Sequence, residues 1–474
     1  MVHGNEACSE AGNVAGFRGR AMNGRELLRE CRDCGLLQTV PPIVPDGTTA
    51  YCLRCNATLL RSRRSSAGIS LACAGTAAAL LVLAVQLPFM DIRVMGRFSR
   101  ATVLTGPWIL SQQESWELLI AVVLTIVLMP ASRLAGILAV LIGARASRPS
   151  AWLPWLFTLV EQMSPWAMVD VFLLGVIVAY SRLAAWTRVD VGPSLVALAG
   201  VMMMLAILDA TLDREAIWRA LGRSVKGSPD RVDREWLGVG AGGRRRRWTG
   251  CFHCNLWQPL DPLSDRPGRC PRCSRKLHAR KPNSVARTWA LTLSAAALYI
   301  PANALPVMTV QRFGRGEPNT ILSGVIELGR NRLVPLAVLV FVASVAVPVL
   351  KLVGLAFLLV TTRRRSGKGL KARARAFRFI NAIGRWSMLD IFALTILVAL
   401  VRFGFIATVV PGAGAIAFCA VVTLTMLATE SFDPRLMWDA AKAASAGALA
   451  PPQRVAEPRD ARAHSAWEPD PGSS

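Results

Sequence analysis

A chain of 474 residues that is 53% apolar, with a mean hydropathy of +0.39, has the composition of a membrane protein and not of a string of soluble domains. Its 55 Lys and Arg against 30 Asp and Glu leave a net charge of +25, but the excess sits in a few connecting segments, which argues against a nucleic-acid-binding surface. With only 4 His, and neither a Ser-His-Asp set nor paired carboxylates in a soluble cleft, the composition also excludes the common hydrolytic enzymes.

Residues 1–28 hold no apolar core of signal-peptide length and are expected to be a disordered cytosolic segment. Residues 29–62 then carry Cys31-Arg32-Asp33-Cys34 and, 17 residues on, Cys52-Leu53-Arg54-Cys55. Residues 248–282 repeat the pattern as Cys251-Phe252-His253-Cys254 and, 15 residues on, Cys270-Pro271-Arg272-Cys273. Each C-x-x-C can set two thiolates on one metal, and the spacer suffices for a hairpin that brings the second pair opposite the first. Four thiolates with no open position describe a closed structural Zn site, so two Zn ions are expected. A rubredoxin-like single iron is the alternative; a thioredoxin-like redox role lacks its βαβ setting. Modules this small cannot build a core alone, so metal binding and folding should be one event. His253 is then a bystander, and the single Cys8, Cys73 and Cys419 read as small packing residues.

Long uncharged runs predict eight membrane spans: Ile69–Pro88, Leu118–Ile142, Val169–Leu183 with an apolar lead-in from Ala151, Ser194–Leu208, Ala286–Leu305, Leu333–Val360, Leu389–Val401 and Gly412–Ala428. Thr361–Arg385 carries nine Lys or Arg and no acid, Leu212–Arg287 contains Arg244-Arg245-Arg246-Arg247, and Arg61, Arg63 and Arg64 precede the first span. These connections alternate onto one face, which should be cytosolic, together with both termini. Attraction to anionic headgroups accounts for the same charges. Asp91–Glu117 and Val307–Arg332 become outer loops, and Glu117 and Glu327 are expected in solvent near them.

The cysteine pairs recur at shifts of 220 and 218, and the register holds through the apolar part. Pro88-Phe89-Met90 matches Pro306-Val307-Met308, Pro130 with Arg133 matches Pro348 with Lys351, and Trp166-Ala167-Met168-Val169-Asp170-Val171-Phe172 matches Trp386-Ser387-Met388-Leu389-Asp390-Ile391-Phe392. Such self-similarity predicts an all-α polytopic fold of two four-span repeats, residues 67–220 and 286–440, each preceded by a cysteine module. Because four is even, the repeats are parallel. Residues 221–247 are the expected linker and residues 441–474 a disordered tail.

Ionisable groups inside spans are costly and usually face a bundle interior or wet cavity. Lys351 and Arg133 either reach the interface by their long stems or pair within the bundle. Asp170 and Asp390 either serve the first helical turn or meet those cations, as Arg133 with Asp170 and Lys351 with Asp390. Such pairs, if wet, suit a gate or proton path. Pro130 and Pro348 should kink their helices, whereas Pro88 and Pro306 either end their spans or hinge the outer face. Asp433 followed by Pro434 reads as a helix N-cap.

Duplicated four-Cys ribbons leading into four spans, the Leu-Pro-x-Met ending, the Trp-x-Met-x-Asp-x-Phe element and Ser431-Phe432-Asp433-Pro434-Arg435 together resemble the paraquat-inducible protein A family, over roughly Glu30 to Trp438. The first half departs from the last element with Ala210-Thr211-Leu212-Asp213-Arg214. The resemblance implies a bacterial inner-membrane protein that works beside a partner with mammalian-cell-entry (MCE) domains, moving phospholipid between membranes and supporting envelope integrity. It implies zinc in the ribbons and candidate coupling roles for Asp170, Asp390 and Lys351. The sequence leaves a second class open, a zinc-ribbon scaffold or stress sensor that transports nothing. No Walker motif is present, so ATP hydrolysis by this chain is not expected.

Overall fold

The computed structural model describes residues 27–40, 49–61, 67–94, 97–146, 149–184, 188–221, 247–260, 268–312, 315–330, 334–401 and 407–449. Most of the expected amino-terminal segment with Cys8, most of the linker, residues Arg63, Arg64 and Arg244–Arg246, and the tail from residue 450 lie outside the described residues.

Among the described residues, seven helices are long and apolar enough to cross a membrane: Ala67–Gln86, Trp116–Gly143, Leu153–Ser181, Pro193–Thr211, Val334–Arg363, Leu370–Leu400 and Ala413–Ser431. The expected fifth span forms helix Ser284–Ala304, in which Arg287, Tyr299, Pro301 and Asn303 dilute the apolar run, so that it is not among the seven. Large apolar side chains such as Val82, Ile120, Val196, Ile300 and Val353 stay exposed on the outsides of these helices, as lipid requires. Exposed Trp108 and Trp116 near one end, and Trp152, Trp155 and Trp386 near the other, are placed as interfacial anchors.

The lead-in expected from Ala151 is helical, and the span expected from Leu389 begins earlier than read. Helix Leu153–Met163 passes through a tight turn at Ser164–Trp166 before helix Val169–Ala184, and helix Leu370–Ile383 passes through Gly384–Met388 before Leu389–Leu400. The basic stretch read as the loop Thr361–Arg385 is therefore largely helical, because Ala, Lys, Arg and Phe are all compatible with helix while Arg side chains serve its polar face. The seventh span is the centre of the bundle: 78% of its window is buried against 28% for Ala67–Gln86. Phe172 and Phe392 meet edge to face at 5.9 Å where the third and seventh spans pack, which joins the two halves.

Pro130 and Pro348 each follow a wide turn, Leu124–Leu128 and Val342–Ala346. A proline lacks the N–H that would close onto the residue four back, and its ring presses on that carbonyl; one extra residue per turn relieves both. The kink expected at these positions takes that form.

The all-α expectation is corrected to a mostly helical one. In each half the segment after the first helix pairs with the segment before the last span of that half, giving three-stranded antiparallel sheets. Pro88–Val94 lies between Arg97–Thr102 and Arg188–Val191, and Met308–Arg312 lies between Arg315–Asn319 and Ala407–Pro411. Alternation around Ile92 and Val310 is short and was masked by the flanking charges. The expected tail is also shorter than read, since helix Arg435–Leu449 continues past residue 441.

Pro88 and Pro306 sit in close joints with these sheets. Gly412 donates its N–H to the Val307 carbonyl at 2.8 Å, and a Cβ there would lie 2.2 Å from the Pro306 oxygen; Gly192 repeats the arrangement against Phe89 and Pro88. Only a residue without a side chain allows this approach. Gly412→Ala should therefore destabilise the protein by about 1–3 kcal/mol, read as a lower midpoint in a fluorescence-monitored heat ramp in detergent; an unchanged midpoint would show that the joint gives way freely.

Candidate functional site

Each C-x-x-C forms the same knuckle. The first Cys N–H takes the carbonyl five residues on, as in Cys31 to Leu36 at 2.9 Å and Cys270 to Arg275 at 2.8 Å, and the residue after the second Cys turns back onto the first carbonyl. That residue has positive φ in all four knuckles, at Gly35, Asn56, Asn255 and Ser274. Gly and Asn tolerate this conformation best, which explains three of the four choices.

Hairpins Leu27–Glu30 with Leu37–Val40, Thr49–Tyr51 with Thr58–Arg61, and Arg247–Gly250 with Trp257–Leu260 carry the knuckles, and an Arg269 to Lys276 bridge stands for a fourth. The sulfurs gather as expected. Cys31, Cys34, Cys52 and Cys55 form one buried group and Cys251, Cys254, Cys270 and Cys273 another. Cys31 lies 3.5 Å from Cys55, Cys34 lies 3.5 Å from Cys52, and the second group has 3.6 and 3.4 Å for the corresponding pairs. Sulfurs about 2.3 Å from a tetrahedral ion sit only slightly farther apart. The donor set fits one metal ion per module with no place for substrate, so what the ion supplies is a crosslink. Hydrogen bonding with Cys34 pulls the Cys31 thiol down to about 5, and hydrogen bonding with Cys254 pulls Cys251 down to about 7, so each group contains a thiolate near neutrality. His253 contributes its carbonyl to Arg32 at 3.2 Å and stands outside the ligand group.

The modules are attached crosswise, which no sequence pattern announced. The first packs on the second half: its four cysteines cluster with Leu358, Leu359, Ala374, Ile380, Phe432 and Trp438. Arg378 pairs with Asp33 at 2.7 Å, and Arg54 lies over the Trp438 ring at 4.1 Å. The second module faces the first half, where Arg275 donates to Gln162 at 2.9 Å and Cys254 and Asn255 share a cavity with Trp218, and it also touches the second half, where Arg280 pairs with Asp439 at 2.6 Å and the Phe252 ring lies 4.6 Å from the Arg435 guanidinium. Between them sits Glu30. It pairs with fully buried Arg435 at 2.8 Å, accepts the Gly250 N–H at 2.7 Å, and lies 3.5 Å from Arg280. Asp433 caps the following helix through the Arg435 N–H at 3.1 Å, as expected, and also accepts the Lys281 N–H at 3.1 Å. The first half has the weaker counterpart: Asp213 caps Glu215 and Ala216 at 2.9 and 3.1 Å, and Arg29 pairs with Glu215 at 2.6 Å.

Within the bundle, Lys351 is fully buried and donates to the Gly384 carbonyl and the Thr425 hydroxyl, each at 3.0 Å. It does not reach an interface, and the partner expected for it, Asp390, is not the one it takes. Gly384 makes the contact possible, since a Cβ there would lie 3.1 Å from the Lys351 Cε. The buried hydroxyls of Ser344, two turns earlier on the same helix, and Ser387 lack hydrogen-bond partners. Arg133 is buried and pairs with Asp209, not with Asp170. Asp209 lies one residue beyond the expected end of the fourth span, so it was passed over; Thr425, Ser344 and Ser387 carry no charge and gave no signal. Asp170 and Asp390 occupy first turns, both half-buried, and Glu117 and Glu327 are exposed as expected. Cys73 and Cys419 lie in the first and last apolar helices as packing residues.

The family profile described as Paraquat-inducible protein A matches residues 69–222 and again residues 285–442. The chain is 32% identical over 410 residues to the Intermembrane transport protein PqiA of Escherichia coli (strain K12), covering 86% of this chain and 95% of the relative. It is 29% identical over 430 residues to the Lipophilic envelope-spanning tunnel protein A of the same organism, covering 89% and 95%. It is 25% identical over 415 residues to a Probable intermembrane transport protein of Haemophilus influenzae, covering 87% and 95%. No solved structure matches.

Two outcomes follow for the ribbon side of the molecule. A strong thiophilic chelator should remove one ion per module and open residues 27–61 and 247–282 to protease while the apolar helices stay protected; protection that survives complete metal loss would separate folding from binding. Glu30→Gln should leave the Arg435 charge uncompensated in its buried site and lower stability by about 3–5 kcal/mol, measured as a denaturation midpoint at constant metal content.

Proposed function

Because the chain belongs to the paraquat-inducible protein A family, we propose that it is the inner-membrane component of an intermembrane phospholipid transport system that works with an MCE-domain partner and supports envelope integrity. In this reading both termini and both modules are cytosolic, the two ions are Zn, and the halves are parallel repeats. The names of the Escherichia coli and Haemophilus influenzae relatives, two of them intermembrane transport proteins and one an envelope-spanning tunnel protein, support the transport class.

The observation that carries the reading is Lys351. A cation buried among apolar helices, with only a carbonyl and a hydroxyl as hydrogen-bond partners among the described residues, is costly, and a scaffold gains nothing from it. It lies where the chain can give. The wide turn Val342–Ala346 and Pro348 precede it on its own helix, and its carbonyl partner begins the turn Gly384–Met388 that interrupts the central span. Lys351 thus fastens two interrupted helices to the last span. Arg133, clamped to Asp209, does the corresponding work in the first half, and Asp170 and Asp390 stand at the starts of the two spans that join the halves. Release of Lys351 would let Pro130, Pro348 and the joints at Pro88 and Pro306 open a path for lipid.

Lys351→Met is the test, in vesicles carrying the protein with its MCE-domain partner and labelled phospholipid. Transfer should fall at least roughly tenfold, equivalent to about 1.4 kcal/mol of barrier, at normal protein level and partner association. Thr425→Val should act in the same direction. Undiminished transfer in both variants would remove the coupling role, and a wild-type protein that binds the partner but moves no lipid would favour the scaffold.

A further inference from the structure

A cavity of about 1020 Å³ opens on the ribbon side, between both cysteine modules and the inner ends of both halves. Its walls divide by chemistry. Met163, Trp166 and Met426 of the helices supply apolar lining, and Arg32 and Lys276 of the modules, with Arg385 of the turn Gly384–Met388, supply positive charge. The acids that share the cavity are already engaged: Asp33 with Arg378 at 2.7 Å, Glu430 with the Trp166 indole N–H at 3.1 Å, and Asp433 with the Lys281 and Arg435 N–H groups. Of the cations, Lys281 is held by the Glu430 and Phe432 carbonyls, but three others are open. Lys276 and Arg385 make no side-chain hydrogen bond or ion pair among the described residues, and Arg32 donates only to the His253 carbonyl at 3.2 Å. Excess positive charge in a walled space with few competing acceptors favours an anion, and Arg together with Lys favours phosphate oxygens.

We propose that this cavity is a binding site for a phosphate-bearing anion, held by Lys276 and Arg385 with Arg32. The ligand is either the headgroup of a phospholipid, whose first carbons would lie on Met163, Trp166 and Met426, or a free phosphate. The size is within reach of a headgroup and glycerol, since drug-sized ligands fill pockets of about 300–1,000 Å³. Arg385 adjoins Gly384, whose carbonyl holds Lys351, so an occupied site bears on the turn that the buried cation fastens. The lipid source rests on the transport reading; the anion site rests on the cavity alone.

Calorimetric titration of the full-length, metal-loaded protein in detergent tests it, with dihexanoylphosphatidylglycerol as one probe and sodium phosphate as the other. The wild type should bind, and the double substitution Lys276→Gln with Arg385→Gln should weaken binding at least about tenfold at unchanged metal content and denaturation midpoint. The charge-keeping pair Lys276→Arg with Arg385→Lys should restore most of it. Binding of the lipid alone assigns the site to a headgroup, and binding of sodium phosphate with mutual competition assigns it to phosphate itself. If neither probe binds the wild type, or if the neutral double variant binds as the wild type does, the inference is overturned. Binding that persists in a protein unable to transfer lipid leaves the site standing and removes only the transport reading.

Discussion

The buried pair of Glu30 with Arg435 is the contact on which the ribbon side of the molecule depends. Arg435 has no solvent exposure, and its charge is compensated by Glu30 at 2.8 Å, by the Arg32 carbonyl, which accepts its Nε–H at 3.1 Å, and by the Phe252 ring at 4.6 Å. Glu30 belongs to the strand leading into the first cysteine module, its other oxygen takes the Gly250 N–H of the second, and Arg435 opens the helix after the last span. Three segments separated by hundreds of positions are thereby pinned at one point. A pair of this kind contributes little net stability against an apolar replacement, but removing one member strands the other, so its main effect is on which arrangement forms.

That point also explains why the attachment is crosswise. Apolar burial is not directional, so it does not by itself choose between a straight and a crossed attachment. Arg378, Arg435 and Trp438 of the second half take Asp33, Glu30 and Arg54 of the first module, and of these three only Arg435 also meets the second module, at the Phe252 ring, among the described residues. The first half offers Gln162 to Arg275 of the second module instead. The departure between Ala210-Thr211-Leu212-Asp213-Arg214 and Ser431-Phe432-Asp433-Pro434-Arg435 is thus the place where the halves are told apart: Arg214 reaches Glu161 at 3.5 Å, partly exposed, while Arg435 is buried in the hub.

Much of this was legible in the residues. Cysteine spacing located both four-Cys groups and apolar runs located the helices, because each is a local pattern with a local physical cause. The sheets were not legible, since strands such as Arg188–Val191 are short and find partners about a hundred positions away. Nor were the partners of the buried cations. Charge alone suggested that Lys351 and Arg133 would seek Asp390 and Asp170, but the packing presents a carbonyl and a hydroxyl to one and Asp209 to the other. Periodicity tells which face of a helix is buried and is silent on which neighbour covers it.

The two cations show why duplicated sequence need not give duplicated behaviour. Arg133 has a full counter-charge in Asp209, which is itself half open to solvent, so that pair is electrically closed and partly wet. Lys351 has two neutral acceptors and no solvent among the described residues. Neutral acceptors compensate a desolvated ammonium less well than a carboxylate does, so the second half holds the less stable arrangement, and it holds it at the turn that divides the central span. Thr425 and Arg435 lie close along one continuous path, the end of the last span and the cap that follows it. The buried cation and the ribbon clamp are therefore attached to the same short segment of backbone, and a displacement of that segment moves both.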